Sequence, residues 1–148
     1  IRYFKRWRDK QFSNGAVPSI SLTCSAYHWF NPFLEYIPGK NQVPNDQIAL
    51  KDLVTSILSQ ESNGRIHINL PVHPHSDLLG NMTSLQMDDF VNRLESLKEA
   101  LEESISLACP HEAAKRLQNQ FGDEFEVPDK ESTGEKSKPA IVPAGTSA

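Results

Sequence analysis

Apolar residues along this chain recur mostly at steps of three and four, and a few Pro, Gly and Asn positions interrupt them. Steps of three and four place side chains on one face of an α-helix, so the pattern predicts a mainly α protein. In residues 1–13, Phe4, Trp7 and Phe12 share one face, while Arg2, Arg6 and Lys10 occupy another at four-residue spacing. Asn14-Gly15 ends that helix, because glycine past the last turn accepts the left-handed backbone. A second helix starts at Pro18, where a missing N–H costs nothing, and stops at Asn31-Pro32. Its predicted core stripe is Ile20, Cys24 and Tyr27. Residues 33–45, with Pro38, Gly39 and Pro44, read as a connecting loop.

Asn45 or Asp46 caps a third helix to about Gln60, with Leu50, Leu53, Val54, Ile57 and Leu58 as its apolar face. Ile66 and Ile68 then alternate with polar neighbours, which predicts one short extended segment before Pro71 and Pro74 prevent regular structure. Thr83 with Gln86 has the spacing of a capping box. It opens the longest helix, running to about Cys109, with Phe90, Leu94, Leu97, Leu101, Ile105 and Ala108 inward. Pro110 starts the last helix, 110–121, and Gly122 closes it. The domain therefore spans residues 1–127. Residues 128–148 contain almost no apolar anchor and read as a disordered tail.

Charge changes the picture locally. The net charge is -4, yet the first ten residues hold Arg2, Lys5, Arg6, Arg8 and Lys10 against Asp9 alone. Cations one turn apart can reach adjacent phosphate oxygens, and a solvated helix face is the plainer alternative. Ser19 behind Pro18 offers a hydroxyl and free backbone N–H groups, either an anion site or an ordinary helix start. His67, His73, His75 and Asp77 are close in sequence, but no second cluster completes a tetrahedral set, so no metal is assigned to them. Cys24 and Cys109 lie in no metal-ligand spacing and read as reduced, buried thiols of a cytoplasmic protein. No apolar run spans a bilayer, and there is no signal peptide. A Gly-rich phosphate loop, a Ser/His/Asp pattern and a Cys/His nucleophile pattern are all missing. Asp88 and Asp89 are adjacent and point to different sides of a helix. No catalytic residue is therefore assigned. The opening residue is Ile, inside a helix in progress, so the chain reads as the C-terminal part of a larger enzyme.

Four stretches in order resemble one family. RYFKRWRDKQF followed by VPSISLTCSAYHWF resembles paired helices in the C-terminal half of bacterial cGAS/DncV-like nucleotidyltransferases. INLPVHPHSDLLGNM is similar to the proline-bearing box that this superfamily shares with oligoadenylate synthases. FVNRLESLKEAL, then EAAKRLQNQFGDEF, resembles its closing helices. The resemblance implies a helical C-terminal lobe of a polymerase-β-like enzyme that makes cyclic di- or trinucleotide messengers in bacterial anti-phage defence. It also implies an N-terminal catalytic lobe that carries a Gly-Ser motif and the carboxylates for two Mg²⁺ ions; both motifs are missing from this chain. In the intact enzyme, a ribose hydroxyl would attack an α-phosphate of a nucleoside triphosphate in line. This chain alone would hold no cofactor.

Residue by residue, Ser19 matches a serine that approaches nucleotide, and Arg2 or Lys5 matches a basic residue facing a triphosphate. Ile20 matches a position where some relatives stack an aromatic side chain on a base, which Ile cannot do. In related defence systems an E1/E2-like enzyme conjugates the flexible C-terminus of the synthase. The tail residues Gly145, Thr146, Ser147 and Ala148 are small enough to thread such a site. The alternative is a stand-alone helical interaction module that binds a protein or nucleic-acid partner through its basic first helix.

Overall fold

The computed structural model describes residues 1–130; the rest of the tail, including Gly145, Thr146, Ser147 and Ala148, lies outside the described residues. Five helices are described: α1 (Arg2–Gln11), α2 (Ser19–Trp29), α3 (Asp46–Leu58), α4 (Ser84–Ser106) and α5 (Pro110–Phe121). A two-stranded antiparallel hairpin, β1 (Leu34–Tyr36) and β2 (Gln42–Pro44), joins α2 to α3. The fold is thus mainly α, as the periodicity predicts.

Local chemistry accounts for the boundaries of the longer helices. Asn45 accepts a hydrogen bond from the Ile48 N–H and caps α3. Thr83 and Gln86 bond reciprocally at the start of α4, forming the expected capping box. Pro110 occupies the first turn of α5, and Gly122 ends it at φ 93°, a backbone that L side chains rarely adopt. A Cβ at Gly122 would also lie 3.5 Å from the Lys10 stem.

One core unites the elements. Phe4 and Trp7 of α1, Leu22 and Cys24 of α2, Leu53, Val54 and Ile57 of α3, and Phe90, Leu94 and Leu97 of α4 are all buried in it. The α4 helix packs against both α3 and α5, and α5 packs against α1. Ile66, Ile68 and Leu79, from the extended segment, are fully buried and seal one end. That segment holds isolated bridges, Ser62 with Arg65 and Asn69 with Asp77, instead of a continuous strand.

Five expectations need correction. The loop expected over 33–45 contains the hairpin. Its turn has Pro38 at the second position and Gly39, at φ 80°, at the third, with the Lys40 N–H bonded to the Ile37 carbonyl. This is the sequence signature of a type II turn. Both strands are largely exposed, so no alternation of apolar residues announces them.

In α2 the expected stripe of Ile20, Cys24 and Tyr27 is not the core face: Ile20 is 49% exposed and Tyr27 73%. The buried side is instead Ser21, Leu22, Cys24 and Ser25. Ser21 and Ser25 fold their hydroxyls back onto the carbonyls of Pro18 and Leu22, at 2.6 and 2.8 Å, and can then pack without an unmet polar group.

The α4 helix stops at Ser106 rather than near Cys109, and Ile105 and Ala108 are exposed. Ser104 continues the buried row from Leu97 and Leu101, bonding to the Leu101 carbonyl at 2.9 Å. Cys24 is buried but Cys109 is only half-buried, because it lies in the connection just before α5. Finally, α1 ends at Gln11, so Phe12 enters the core from the helix terminus, where its backbone has left the helical region.

Candidate functional site

The basic face of α1 divides into bound and free cations. Arg6 donates from Nε to the Phe121 carbonyl at 3.2 Å and from Nη2 to Glu124 at 3.2 Å. It therefore satisfies a carbonyl at the C-terminal end of α5, where cations are favoured. Arg8 is held by its neighbour Asp9. Arg2 is exposed and Lys5 half-buried, and neither makes an ion pair or side-chain hydrogen bond among the described residues. Lys10, near the other end of the helix, is likewise exposed and without an ion pair or side-chain hydrogen bond among the described residues, so the free cations of α1 are Arg2, Lys5 and Lys10, and the first two are the alternatives matched to a triphosphate contact.

Ser19 and Ile20 open α2. No side chain caps that end, and the first turn of any helix leaves backbone N–H groups without helical partners. Yet Ile1, Tyr3 and Phe4 line one recess with Ala26 and Phe30, so the start of α1 lies against the end of α2. Ser19 therefore sits most of a helix length, about 16 Å at 1.5 Å per residue, from the level of Arg2. Arg2 and Lys5 stay together on one face, and Ser19 and Ile20 stay together at one helix end. The two pairs are not brought into one cluster.

Between these elements runs a groove that the sequence does not announce. About 320 Å³ is enclosed by Tyr3 of α1, the first turn of α3 (Asn45, Asp46 and Gln47), Leu50, Leu101, and Leu117 and Phe121 of α5 with Phe125. Tyr3 meets Phe121 and Phe125 edge-on, at 6.0 and 6.2 Å between ring centres, while Phe121 and Phe125 stack at 5.4 Å. A neighbouring recess continues it toward Phe30. Three of the residues that line these recesses, Ile1, Tyr3 and Phe30, are exposed apolar side chains.

The extended segment builds a second polar centre around Asp77. One carboxylate oxygen accepts from the Ile68 N–H at 3.2 Å and the Leu79 N–H at 3.0 Å, and the other accepts from His67 Nδ1 at 2.7 Å. Burial of this carboxyl pushes its pKa up. The His67 hydrogen bond, the Leu79 and Ile68 N–H groups and the His67 charge outweigh that and hold it below the ordinary value. Arg65 ties the same loop down by donating to the Leu79 and Met82 carbonyls, at 3.2 and 3.0 Å.

The other histidines of this stretch are spread out. His75 donates to the Leu70 carbonyl at 3.0 Å and stands edge-on to His73. Among the described residues no group of three or more His, Cys, Asp or Glu side chains is placed to hold a metal ion. Asp88 and Asp89 are both exposed, and Asp89 pairs with Arg93 at 2.9 Å. The described residues thus offer cations, helix-end N–H groups and an apolar groove, which can bind and position. No helix among them is long and apolar enough to cross a membrane.

No protein-family model matches this chain, and no curated protein matches it either.

Proposed function

We propose that this chain is the helical C-terminal, nucleotide-binding lobe of a cyclic di- or trinucleotide synthase of bacterial anti-phage defence. The catalytic carboxylates and their Mg²⁺ ions belong to an N-terminal lobe of the same protein. The observation that carries the reading is the pairing of two unpartnered cations, Arg2 and Lys5, with an uncovered apolar surface at the same end of the fold. Cations that no carboxylate neutralises are available to a triphosphate. Exposed Ile1, Tyr3 and Phe30, which line one recess, give the lobe a face that a second lobe can cover. Its chemical part is to hold the phosphate chain and wall off the cleft while metal chemistry proceeds on the facing lobe.

The test uses the natural full-length protein with ribonucleoside triphosphates and Mg²⁺, with products separated by chromatography and identified by mass spectrometry. A cyclic oligonucleotide product is expected. The charge reversals Arg2→Glu and Lys5→Glu together are expected to raise KM for the triphosphate at least tenfold. Absence of any cyclic product, or an unchanged KM in the double variant, would refute the assignment. The tail's engagement by an E1/E2-like enzyme belongs to the same proposal: deleting Gly145–Ala148 in the full-length protein should abolish covalent conjugates, and undiminished conjugation counts against it.

A second reading has its own observation. The groove beside Tyr3, Phe121 and Phe125 has the apolar, aromatic lining of a partner-binding surface. It favours a stand-alone helical interaction module that binds a protein or nucleic acid. Failure of the full-length protein to make a cyclic product, with saturable capture of a macromolecular partner, would select it.

A further inference from the structure

The groove beside Tyr3, Phe121 and Phe125 continues past them. A recess of about 430 Å³ shares Asn45, Gln47, Leu117 and Phe125 with it and reaches Ile105, Ala108 and Pro110. Together they form a trough that follows α5 from its last turn to its first, with the start of α3 and the end of α4 as the facing wall. The described chain ends beside this trough. Phe125 and Glu126 line it, and the Pro128 carbonyl accepts from His111 Nδ1 at 2.7 Å, in the first turn of α5. The segment after α5 therefore runs back along that helix, and the tail departs from the end where the trough begins.

The sequence of the tail fits such a surface at one place. Residues 131–148 are mostly small or polar, and Ile141 and Val142 are their large aliphatic side chains. Pro139 and Pro143 bracket that pair. A proline ring fixes φ, which lowers the entropy lost when its neighbours are immobilised. Reach is ample: residues 131–141 span up to about 36 Å when extended, whereas α5 is about 18 Å long. Charge agrees as well. Lys136 and Lys138 precede the apolar pair. Asp46 and Glu126 line the trough, and neither makes an ion pair or side-chain hydrogen bond among the described residues.

We propose that residues 139–143 of this chain dock in the trough as an intramolecular strap, with Ile141 and Val142 against Leu117 and Phe125 and the two lysines near Asp46 and Glu126. Attachment at the start of α5 favours this occupant over any other. A short tether holds its free end at an effective concentration of about millimolar, so a small apolar contact is enough to keep it in place. The strap covers apolar surface that the fold otherwise leaves open to water. It is also an internal competitor, because a macromolecule that uses the groove must first displace it. Docking depends on neither nucleotide nor a second lobe.

The experiment replaces Ile141 with the photoreactive residue p-benzoylphenylalanine in the full-length protein and maps the crosslinks by mass spectrometry. Mixing isotope-labelled and unlabelled chains separates contacts within a chain from contacts between chains. Crosslinks within one chain to Leu50, Leu101, Leu117 or Phe125 are expected, at a yield independent of protein concentration. Ala113→Glu places a charge on the half-buried wall of the trough and should lower that yield at least fivefold while the circular dichroism stays the same. Methyl NMR of the natural side chains gives a second measurement. The Leu50 and Leu117 signals should shift when Ile141→Asp and Val142→Asp are combined, and should stay in place when Ser132→Asp and Thr133→Asp are combined. These tail substitutions lie outside the folded core, so the helices remain intact in both variants. Absence of crosslinks to the groove, crosslinks only between chains or only to other residues, or leucine signals indifferent to Ile141 and Val142 would overturn the proposal.

Discussion

Asp77→Ala tests whether one carboxylate organises the non-helical end of this fold. The substitution removes the acceptor for three donors. His67 is half exposed and can turn to water, so its share is small, about 0–1 kcal/mol. The Ile68 and Leu79 N–H groups belong to fully buried residues and lose their partner outright. An unmet buried donor costs about 1–3 kcal/mol. Water can reach a site whose side chain is 22% exposed, which lowers that cost. The expected loss is about 2–4 kcal/mol, a large share of the roughly 5–15 kcal/mol typical of a domain.

Asp77→Asn keeps one oxygen for both N–H groups and should lose about 1 kcal/mol. Urea unfolding followed by fluorescence of the fully buried Trp7 measures both values. A loss below about 1 kcal/mol for the alanine variant, or equal losses for the two, would refute the account.

The same residue carries a pH signature. The folded carboxyl holds its proton less tightly than the unfolded one, whose value is 3.8. Its contribution is therefore complete above 3.8 and disappears as the pH falls through the lower folded value. The stability difference between the wild type and Asp77→Asn should shrink toward zero over that acidic window and stay constant above it.

Three further substitutions probe other parts of the reading. Thr83→Ala removes half of the capping box of α4 and should cost about 1 kcal/mol by urea unfolding. Phe90→Ala empties a fully buried position against Phe12, with ring centres 6.0 Å apart, and should cost about 3–5 kcal/mol. Tyr27→Ser should change stability by no more than about 0.5 kcal/mol, since Tyr27 lies outside the core; a loss near that of Phe90→Ala would restore the apolar stripe of Ile20, Cys24 and Tyr27.

The sequence by itself determined those features whose cause is local. Asn45, Thr83 with Gln86, and Pro110 with Gly122 mark helix boundaries because their bonds and backbone angles involve residues three or four positions away. The face of α3 and most of that of α4 were legible for the same reason: a 3.6-residue period of large apolar side chains is readable without a partner. The concentration of cations on the first helix, with Arg2, Arg6 and Lys10 one turn apart, was recognisable for the same reason.

Tertiary structure decided everything that depends on a distant partner. Which side of α2 faces inward follows from serines that hide their hydroxyls against a close neighbour, so hydropathy alone points to the wrong side. That Arg6 caps the end of α5 while Arg2 and Lys5 remain free depends on a carbonyl 115 residues away. The groove at Tyr3, Phe121 and Phe125 exists only because helices remote in sequence pack together. Packing chooses among faces that the chain offers with nearly equal local preference, and that choice is made by long-range contacts that no short window of sequence contains.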